Sequence, residues 1–310
     1  MKILTITINP ALDKSTKVGR IIPEKKLRCE VPVYEPGGGG INVSRAIKKL
    51  GGQSCAWYLS GGPSGEKIGK LLQEEGISFR AFKCREWTRE NLVVMETSTN
   101  EHFRFGMPGP QIAEDEWQQV LSALENLEEE PEYVIASGSN APGIPEDFYA
   151  RIADIAVRKN FRLILDTSGE PLKQAAGEGI YLMKPSLSEL SALAGKTSIT
   201  ATEQEKLARK VLDDGKSKVL VVSMGARGAM LATKEGFEYI MPPTVPQQSS
   251  VGAGDSMVGG MVLKLQEGWP ISEVARFGVA AGTAATMTPG SELCRKDDAE
   301  EIYEWLKVHR

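Results

Sequence analysis

The chain has 310 residues, of which 41% are hydrophobic, and it carries 41 acidic against 37 basic side chains, for a formal net charge of −4. This length allows a large core in one domain or in two unequal ones, and the acidic balance argues against nucleic acid or an anionic membrane as the main partner. With only two histidines, His102 and His309, and no H-E-x-x-H motif, zinc hydrolysis and histidine-based nucleophilic catalysis are disfavoured.

The cysteines and the first residues bear on the compartment. The four cysteines are far apart and form no C-x-x-C pair, which is typical of reduced thiols in a cytoplasmic protein. The start of the chain lacks the apolar region and small-residue cleavage site of a signal peptide, and no segment approaches the ~18 apolar residues of a spanning helix. We therefore expect a cytoplasmic protein that does not bind a membrane.

Short apolar segments alternate with amphipathic ones along most of the chain. Several of the apolar segments are hydrophobic throughout, as strands covered on both faces should be. Strands are predicted at 3–8, 55–59, 133–137, 162–166, 181–184 and 219–223, and helices at 42–50, 64–75, 114–126, 145–159, 202–214, 255–267, 271–287 and 297–308. The alternation predicts an α/β fold with a mostly parallel central sheet and helices on both faces.

Two segments depart from this alternation. Residues 12–35 alternate around a proline-containing turn, and residues 87–107 resemble a hairpin that turns near Ser98–Glu101. We predict that both belong to a small β-sheet inserted twice into the α/β body, where it would act as a lid; two ordinary edge hairpins are the alternative. No interdomain linker is evident, so residues 1–310 are expected to form one domain with this lid.

The segment SSVGAGDSMVGG, residues 249–260, places Asp255 directly after Gly-Ala-Gly at the start of a predicted helix. Glycines let backbone N–H groups face a ligand, and a helix N-terminus adds unpaired donors and the positive end of the helix dipole. Such a turn suits phosphate-like charge, as an anion hole. An acid there is best explained as a general base that the helix terminus keeps ionised. A helix N-cap is the alternative role for Asp255.

The segment EPGGGGINVSRAI, residues 35–47, places four glycines before Asn42 at the start of another predicted helix. Glycine permits close approach of the backbone, and the Asn42 amide supplies both a donor and an acceptor. This combination suits a polyhydroxylated ligand such as a sugar; a flexible linker is the alternative.

Two further segments suggest a nucleotide site. The turn in VVSMGARGA, residues 221–229, resembles a nucleotide-contacting turn, although the chain has neither G-x-G-x-x-G nor the P-loop motif. In LMKPSLSEL, residues 182–190, Lys184 ends a strand and can reach a phosphate, while Glu189 can hold hydrated Mg²⁺; a surface salt bridge is the alternative. Ligands of open α/β sheets bind beyond the carboxyl ends of the strands, so we expect all these segments to converge on one cleft.

The segments GGGGINVSRAIKKLGGQSCAWYLSG (37–61) and SSVGAGDSMVGGMV (249–262) resemble the two signatures of the PfkB (ribokinase-like) carbohydrate kinase family. The resemblance covers the whole chain, with the signatures in the expected order and spacing. It implies a ribokinase-like α/β fold with a small β-sheet lid that usually pairs with the lid of a second subunit, hence a homodimer. KLRCEVPVYEPGGGGINV (26–43), WTREN (87–91), RFGMPG (104–109) and RFGVAAGTAAT (276–286) most resemble the members that phosphorylate fructose 6-phosphate.

The resemblance also implies residue roles for transfer of the ATP γ-phosphoryl group to the C1 hydroxyl of fructose 6-phosphate, giving fructose 1,6-bisphosphate. Asp255 would be the base, with the anion hole at Gly252, Ala253 and Gly254. The sugar hydroxyls would be held by Asp13, Gly37, Gly38, Asn42 and Ser139. The basic candidates for the phosphate of the sugar are Lys26, Arg28, Arg89 and Arg104. The ATP side would be lined by Lys184, Ser223, Gly225 and Gly228. Glu189 would assist Mg²⁺ through water, and backbone oxygens of Ser249 and Val251 would hold a monovalent cation, K⁺.

The chain departs from the family pattern at two places. The usual Asn-x-x-Glu motif reads Ser186-Leu-Ser-Glu189, and Asn140-Ala141 stands where Leu-Pro is common. Within the family, a tagatose-6-phosphate kinase or a 1-phosphofructokinase is the alternative, although such relatives usually carry Lys where this chain has Gly39. A non-catalytic sugar-phosphate-binding regulator is disfavoured by the retained Asp255, and an NAD-dependent dehydrogenase by the absent fingerprint.

Overall fold

A computed structural model describes residues 2–177, 179–196 and 200–309, except for the side chain of residue 201. Its thirteen described strands are β1 Ile3–Thr7, β2 Ala11–Val18, β3 Val33–Gly37, β4 Cys55–Ser60, β5 Ser78–Lys83, β6 Arg89–Glu96, β7 Glu101–Phe105, β8 Tyr133–Ser137, β9 Arg162–Asp166, β10 Ile180–Met183, β11 Val219–Ser223, β12 Ala229–Ala232 and β13 Phe237–Ile240. The described helices are α1 Gly39–Lys49, α2 Gly62–Glu74, α3 Glu114–Glu125, α4 Phe148–Lys159, α5 Gly169–Ala175, α6 Leu187–Leu193, α7 Ala201–Asp213, α8 Ala253–Gln266, α9 Ile271–Thr286 and α10 Lys296–Val308.

Nine strands form the large sheet, in the order β13-β12-β11-β10-β9-β8-β1-β4-β5. The seven strands from β11 to β5 are mutually parallel, while β12 and β13 add an antiparallel edge. Apolar side chains leave both faces of these strands, so Val134 packs into one buried cluster and Ile135 into another. Helices cover both faces, and the predicted α/β architecture is confirmed.

The strand and helix predictions are confirmed to within a few residues at their ends, because each rested on a buried apolar face. The helix predicted to carry Glu189 is α6, whereas β5, β12, β13 and α5 were not predicted. The residues of β5 show why: this edge strand buries only Phe82, so it lacks the apolar run that identified the central strands. Among the described helices, none combines the length and apolar character that a bilayer crossing requires.

Four strands form a second, smaller sheet, in the order β3-β2-β6-β7. The parallel pairing of β2 with β6 joins the two segments that depart from the α/β alternation, 12–35 and 87–107, in one sheet. The hairpin between β6 and β7 turns at Asn100, whose φ is 62°. The two segments are therefore not independent edge hairpins.

Helix α8 is packed closely on both sides, and this closeness requires small residues. A Cβ at Gly259 would lie 2.9 Å from Ala46 Cβ of α1 and 3.2 Å from the Val43 carbonyl oxygen. A Cβ at Gly260 would lie 2.9 Å from Ala281 Cβ of α9. The sequence GG in the middle of α8 therefore sets how near α1 and α9 come to the helix that starts at the candidate site.

We predict that Gly259→Leu lowers the free energy of unfolding by roughly 1–3 kcal/mol, because the added side chain must push α1 away from α8. Urea unfolding followed by circular dichroism measures this loss. The matched control is Gly236→Leu, at an exposed turn where a Cβ would meet nothing within 4 Å. Equal stability of the two variants would contradict the close packing described for α8.

Candidate active site

The N-terminus of α8 presents unpaired donors to a cleft. Gly252 is the N-cap, with a left-handed φ of 73°, and Leu293 packs where a side chain at Gly252 would begin. In the described part of the chain, the N–H groups of Ala253, Gly254 and Asp255 donate no hydrogen bond. This is the geometry of an anion hole. Asp255 is the third residue of the helix and does not cap it, so the N-cap alternative is wrong.

Asp255 carries a carboxyl group that is hard to ionise. Burial raises its pKa to about 6, and the negative charge of Asp166 adds to the rise, while a hydrogen bond from Asn42 and the charge of Lys184 oppose it. The Asn42 bond joins Nδ2 to Asp255 Oδ2 at 2.9 Å. Burial therefore outweighs the favourable helix terminus, so Asp255 ionises less readily than an ordinary aspartate, although a pKa of about 6 still leaves it mostly ionised at neutral pH. A pKa near 6 suits a general base that works close to neutral pH.

Lys184 lies beside the anion hole and is neutralised by a residue that the sequence analysis missed. Its Nζ is 3.0 Å from Asp166 Oδ1, and only 7% of the residue is exposed. Burial alone would lower the pKa of Lys184, but the ion pair with Asp166 raises it, so the ammonium stays charged. A Cβ at Gly254 would lie 3.5 Å from this Nζ. The surface salt-bridge alternative is thus wrong, and Asp166, which ends strand β9, was detectable by the same strand-end rule as Lys184.

Glu189 takes part in a capping box. Its Oε2 accepts a hydrogen bond from the Ser186 N–H at 2.7 Å, and its own N–H donates to Ser186 Oγ at 3.3 Å. These two bonds satisfy the start of α6. Serine in place of the family's usual asparagine is thus compatible with an ordered helix start. Glu189 Oε1 accepts no hydrogen bond in the described residues, so this oxygen is free to act as an acceptor.

The candidate sugar side lies between the small sheet and two loops. A cavity of about 580 Å³ is bordered there by Asp13, Asn91 and Arg104 and by residues 247–251 and 290–291. Asn91 Nδ2 donates to Asp13 Oδ1 at 2.9 Å. Gly37 leaves room for the Asp13 carboxylate, which lies where a side chain at Gly37 would begin.

The glycine run that ends β3 and begins α1 is ordered rather than a linker. Gly38, with φ 112°, is the N-cap of α1, and a Cβ there would lie 2.7 Å from Thr7 Cγ2. Side chains at Gly39 and Gly40 would meet the loop after β8 and the backbone of β1. The run is glycine because two layers of backbone approach each other there, and this approach places Asn42 against Asp255. The flexible-linker alternative is wrong.

The four basic candidates for the sugar phosphate have different surroundings. Arg104 lines the cavity. The guanidinium of Arg89 donates to the carbonyl oxygens of Asn9, Pro10 and Met107, at 3.0, 3.4 and 3.1 Å, and burial lowers its pKa. Lys26 and Arg28 are exposed in the connection between β2 and β3 and do not line the cavity. The structure therefore brings one of the four into the cavity.

Three buried amide oxygens have no partner among the described residues: Asn9 Oδ1, Asn42 Oδ1 and Asn140 Oδ1. Asn9 was not predicted; its Nδ2 donates to Ser139 Oγ at 3.4 Å and to the Asn140 carbonyl oxygen at 3.2 Å. Ser139 itself is exposed. Buried acceptors are normally satisfied, so the unpaired oxygen of Asn42, whose Nδ2 bonds Asp255, is consistent with a ligand that brings a hydroxyl group. The Asn-Pro dipeptide in the turn after β1 is the one sequence signal that could have indicated Asn9.

The candidate nucleotide turn follows β11. The Ser223 N–H donates to the Pro185 carbonyl oxygen at 2.8 Å, which ties this strand end to the residue after Lys184. Gly225, with φ 62°, starts a short 3₁₀ turn and faces open space, since a Cβ there would meet nothing within 4 Å. Gly228, with φ 84°, packs against the Ile240 carbonyl oxygen. The turn therefore leaves room for a planar group to approach its backbone at Gly225.

The loop before α8 is held by its own serine. Ser249 Oγ donates to the Gly290 carbonyl oxygen at 2.9 Å and accepts from the Val251 N–H at 3.1 Å. The carbonyl oxygens of Ser249 and Val251 accept no hydrogen bond in the described residues. Two free carbonyl oxygens in one loop fit the oxygen ligands that a monovalent cation requires.

We predict that Asp255→Asn raises the free energy of unfolding at pH 7.5 by about 1–3 kcal/mol. The pKa of the folded protein lies above the ordinary value of 3.8, so ionisation of Asp255 opposes folding fully above about pH 6. The gain should shrink as the pH falls and vanish below 3.8. Denaturant unfolding at pH 7.5 and pH 4 measures it, and a variant less stable than wild type at pH 7.5 would contradict the buried carboxylate.

Comparison with known proteins agrees with this geometry. The family model for the pfkB family carbohydrate kinases matches residues 5–298. The ATP-dependent 6-phosphofructokinase isozyme 2 of Escherichia coli is 43% identical over 99% of both chains. The 1-phosphofructokinase of Bacillus subtilis is 32% identical, again over 99% of both chains.

Solved structures agree as well. Escherichia coli phosphofructokinase-2 in complex with potassium superposes with a TM-score of 0.94, and its complex with fructose 6-phosphate with a TM-score of 0.92; each is 42% identical and covers 99% of both chains. With the two glycine-rich signatures, the ribokinase-like sheet and the anion hole in place, this chain belongs to the pfkB family of carbohydrate kinases.

Proposed function

We propose that this protein is an ATP-dependent 6-phosphofructokinase that phosphorylates the C1 hydroxyl of fructose 6-phosphate. The observation that carries the proposal is the position of Asp255. A carboxyl group with a pKa of about 6 lies on the same helix turn as three unpaired N–H donors. A base and an anion hole on one turn are what transfer of a phosphoryl group to an alcohol requires.

The residues divide the reaction between them. Asp13, Asn42 and the backbone at Gly37–Gly38 hold the sugar, with the C1 hydroxyl toward Asp255. Asp255 accepts the proton of that hydroxyl as the oxygen attacks the γ-phosphorus in line. The free N–H groups of α8 and the Lys184 ammonium stabilise the negative charge that spreads over the transferring group. Asp166 keeps Lys184 charged and in place.

The free oxygens described above fit two cations. Glu189 Oε1, one turn into α6, would contact the water shell of Mg²⁺, which supplies charge neutralisation when it is bound to the ATP phosphates. The carbonyl oxygens of Ser249 and Val251 would hold K⁺ next to the anion hole, in line with the potassium complex of the Escherichia coli relative. Arg104 would contact the sugar phosphate from the small sheet, and Ser223 and Gly225 the nucleotide.

The small sheet would act as a lid over the sugar and would pair with that of a second subunit. Its edge strand β3 and the residue two positions before it expose apolar side chains, Val33 at 60% and Val31 at 90%, and Phe105 on the opposite edge is 46% exposed. Such residues are candidates for burial in a symmetric dimer. Lid closure would exclude water, which otherwise competes as the phosphoryl acceptor.

Fructose 6-phosphate is favoured over fructose 1-phosphate because the chain is 43% identical to the Escherichia coli 6-phosphofructokinase and 32% identical to the Bacillus subtilis 1-phosphofructokinase. Tagatose 6-phosphate differs from fructose 6-phosphate at a single hydroxyl, so a direct comparison of acceptors is required.

We predict that, with Mg-ATP as the donor, kcat/KM measured by ADP release is higher for fructose 6-phosphate than for tagatose 6-phosphate or fructose 1-phosphate. Asp255→Asn should lower kcat by about 10²–10⁴, the usual contribution of a general base. Calorimetry should show fructose 6-phosphate binding within about threefold of wild type. Asp297→Asn, the same change in the exposed first turn of α10, is the matched control and should retain full activity.

Each failure of this experiment has its own meaning. Turnover that is highest with another sugar phosphate would correct the substrate, and binding without turnover in the wild type would favour the non-catalytic regulator. Full activity of Asp255→Asn would exclude Asp255 as the base.

We predict that kcat at saturating substrates falls as the pH drops below about 6, because Asp255 must be ionised to accept a proton. In Asn42→Ala the inflection of the pH–rate profile should move to higher pH. The hydrogen bond from Asn42 stabilises the ionised form of Asp255, so its removal raises the pKa of Asp255. A pH–rate profile at saturating substrates measures both. His102→Gln is the control for the histidine that lines the cavity, and an inflection that moves only in this control would contradict the assignment to Asp255.

A further inference from the structure

A buried arginine on α1 bonds to the edge strand β3 of the small sheet. Arg45 of α1 is 3% exposed, and its Nε donates to both carboxylate oxygens of Glu75, at 3.0 and 2.9 Å. Its Nη2 donates to Glu35 Oε1 at 3.2 Å, and its Nη1 to the carbonyl oxygens of Pro36 and Ser291, each at 3.3 Å. One guanidinium therefore joins α1 to β3, to the end of α2 and to the loop that follows α9.

Glu35 stands directly opposite Asp13. Strands β2 and β3 pair in a register that makes Asp13 and Glu35 cross-strand partners. Side chains at such positions are about 5 Å apart at Cβ, so two carboxylates there disfavour each other's ionisation. A sheet with this pair needs a positive charge nearby if both acids are to stay ionised.

Both oxygens of Glu35 are engaged. Oε1 accepts from Arg45, and Oε2 accepts from the Ser291 hydroxyl at 2.6 Å. The opposite carboxylate, Asp13, accepts from Asn91 at Oδ1, while its Oδ2 accepts no hydrogen bond in the described residues. The acceptor that remains for a sugar hydroxyl therefore belongs to Asp13.

Electrostatics agree with this geometry. Burial raises the pKa of Asp13; the hydrogen bond from Asn91 opposes the rise, and the charge of Glu35 adds to it. The positive charges of Arg89 and Arg45 also oppose it. The charge of Arg45 thus lowers the pKa of Asp13, and Arg45 also bonds Glu35, the acid whose charge raises that pKa.

We propose that Arg45, acting through Glu35, is a positioning residue that neutralises the carboxylate opposite Asp13 and so leaves Asp13 free to accept a sugar hydroxyl. The inference rests on the proposed function, in which Asp13 accepts a hydrogen bond from a hydroxyl group of fructose 6-phosphate. It goes beyond that function because it assigns a role in substrate affinity to Arg45, a buried residue that does not line the cavity. A protonated Asp13 would give up part of its acceptor capacity.

The experiment must separate Arg45 and Glu35 from the other charges around Asp13. The charged and titratable groups that face Asp13 are Glu35 on β3, Arg89 on β6, His102 and Arg104 on β7, Arg45 on α1 and Asp255 on α8. Variants at Glu35, Arg45 and Ser291 leave the rest unchanged. The Kd of fructose 6-phosphate, measured by calorimetry without nucleotide from pH 5.5 to 8, is the readout. Ionisation of the substrate phosphate is common to all variants and cancels in the ratio to wild type.

The two single variants are expected to shift this pH dependence in opposite directions. Glu35→Gln removes the like charge, so the loss of affinity on acidification should move to lower pH. Arg45→Met leaves Glu35 unneutralised, so the loss should move to higher pH, with Kd at pH 6 about fivefold above wild type and little change at pH 8. Ser291→Ala should move it the same way by a smaller amount.

A rescue and a control complete the test. The double variant Arg45→Met/Glu35→Gln should return to a pH dependence close to wild type, since the uncompensated charge is gone. Glu75→Gln removes the other carboxylate of Arg45, which is not opposite Asp13, and should leave the pH dependence unchanged. If Arg45→Met does not fold, Glu35→Gln and Ser291→Ala still give shifts of opposite sign.

The inference is wrong if Glu35→Gln and Arg45→Met shift the curve in the same direction, or weaken binding equally at every pH. Those results would mean that the network only supports the fold. If the wild type is an active kinase but all variants show the same pH dependence of Kd, this inference alone is overturned. Absence of ADP release from the wild type would instead overturn the proposed function.

Discussion

The candidate site depends on one buried carboxylate at the start of a helix. Asp255 shares the first turn of α8 with the N–H donors that would stabilise the transferring phosphoryl group, so one turn must hold an acid and attract an anion. Burial raises the pKa of Asp255 toward 6, and Asn42 and Lys184 limit that rise. A more exposed acid would be a weaker base, and one without these two partners would have a still higher pKa. The residues around Asp255 keep its pKa between these two limits.

Close helix packing brings the partners of Asp255 together. Asn42 precedes it by 213 positions, yet the two side chains share a hydrogen bond of 2.9 Å. Glycines make this approach possible: Gly259 admits α1 to the surface of α8, and the run from Gly37 to Gly40 lets the start of α1 approach β1 and the loop after β8. Overlap at either place would move Asn42 away from Asp255. The glycines thus serve the chemistry through distance, although most of them would not touch a ligand.

The parallel sheet supplies the remaining groups in spatial order. Strands β9, β10 and β11 are neighbours, and their carboxyl ends carry Asp166, Lys184 and Ser223. The small sheet brings Asp13 and Arg104 to the other side of the cavity. Arg45 links these parts, since it bonds β3 of the small sheet and also the loop whose Gly290 holds Ser249. The sugar side and the anion-hole side are therefore joined by hydrogen bonds inside one chain.

Local patterns were enough to predict the central strands, the long helices, the fold class and Asp255, because an apolar face and a glycine-acid turn are written in neighbouring residues. They could not reveal that Asp166 neutralises Lys184, that Arg89 binds backbone carbonyls, or that Asn9 is buried beside Ser139. The sign of the Asp255 pKa shift was also out of reach. Charge pairing and burial depend on which strand ends and helices become neighbours. These neighbours are far apart in the chain and come together only when the helices pack against the sheet.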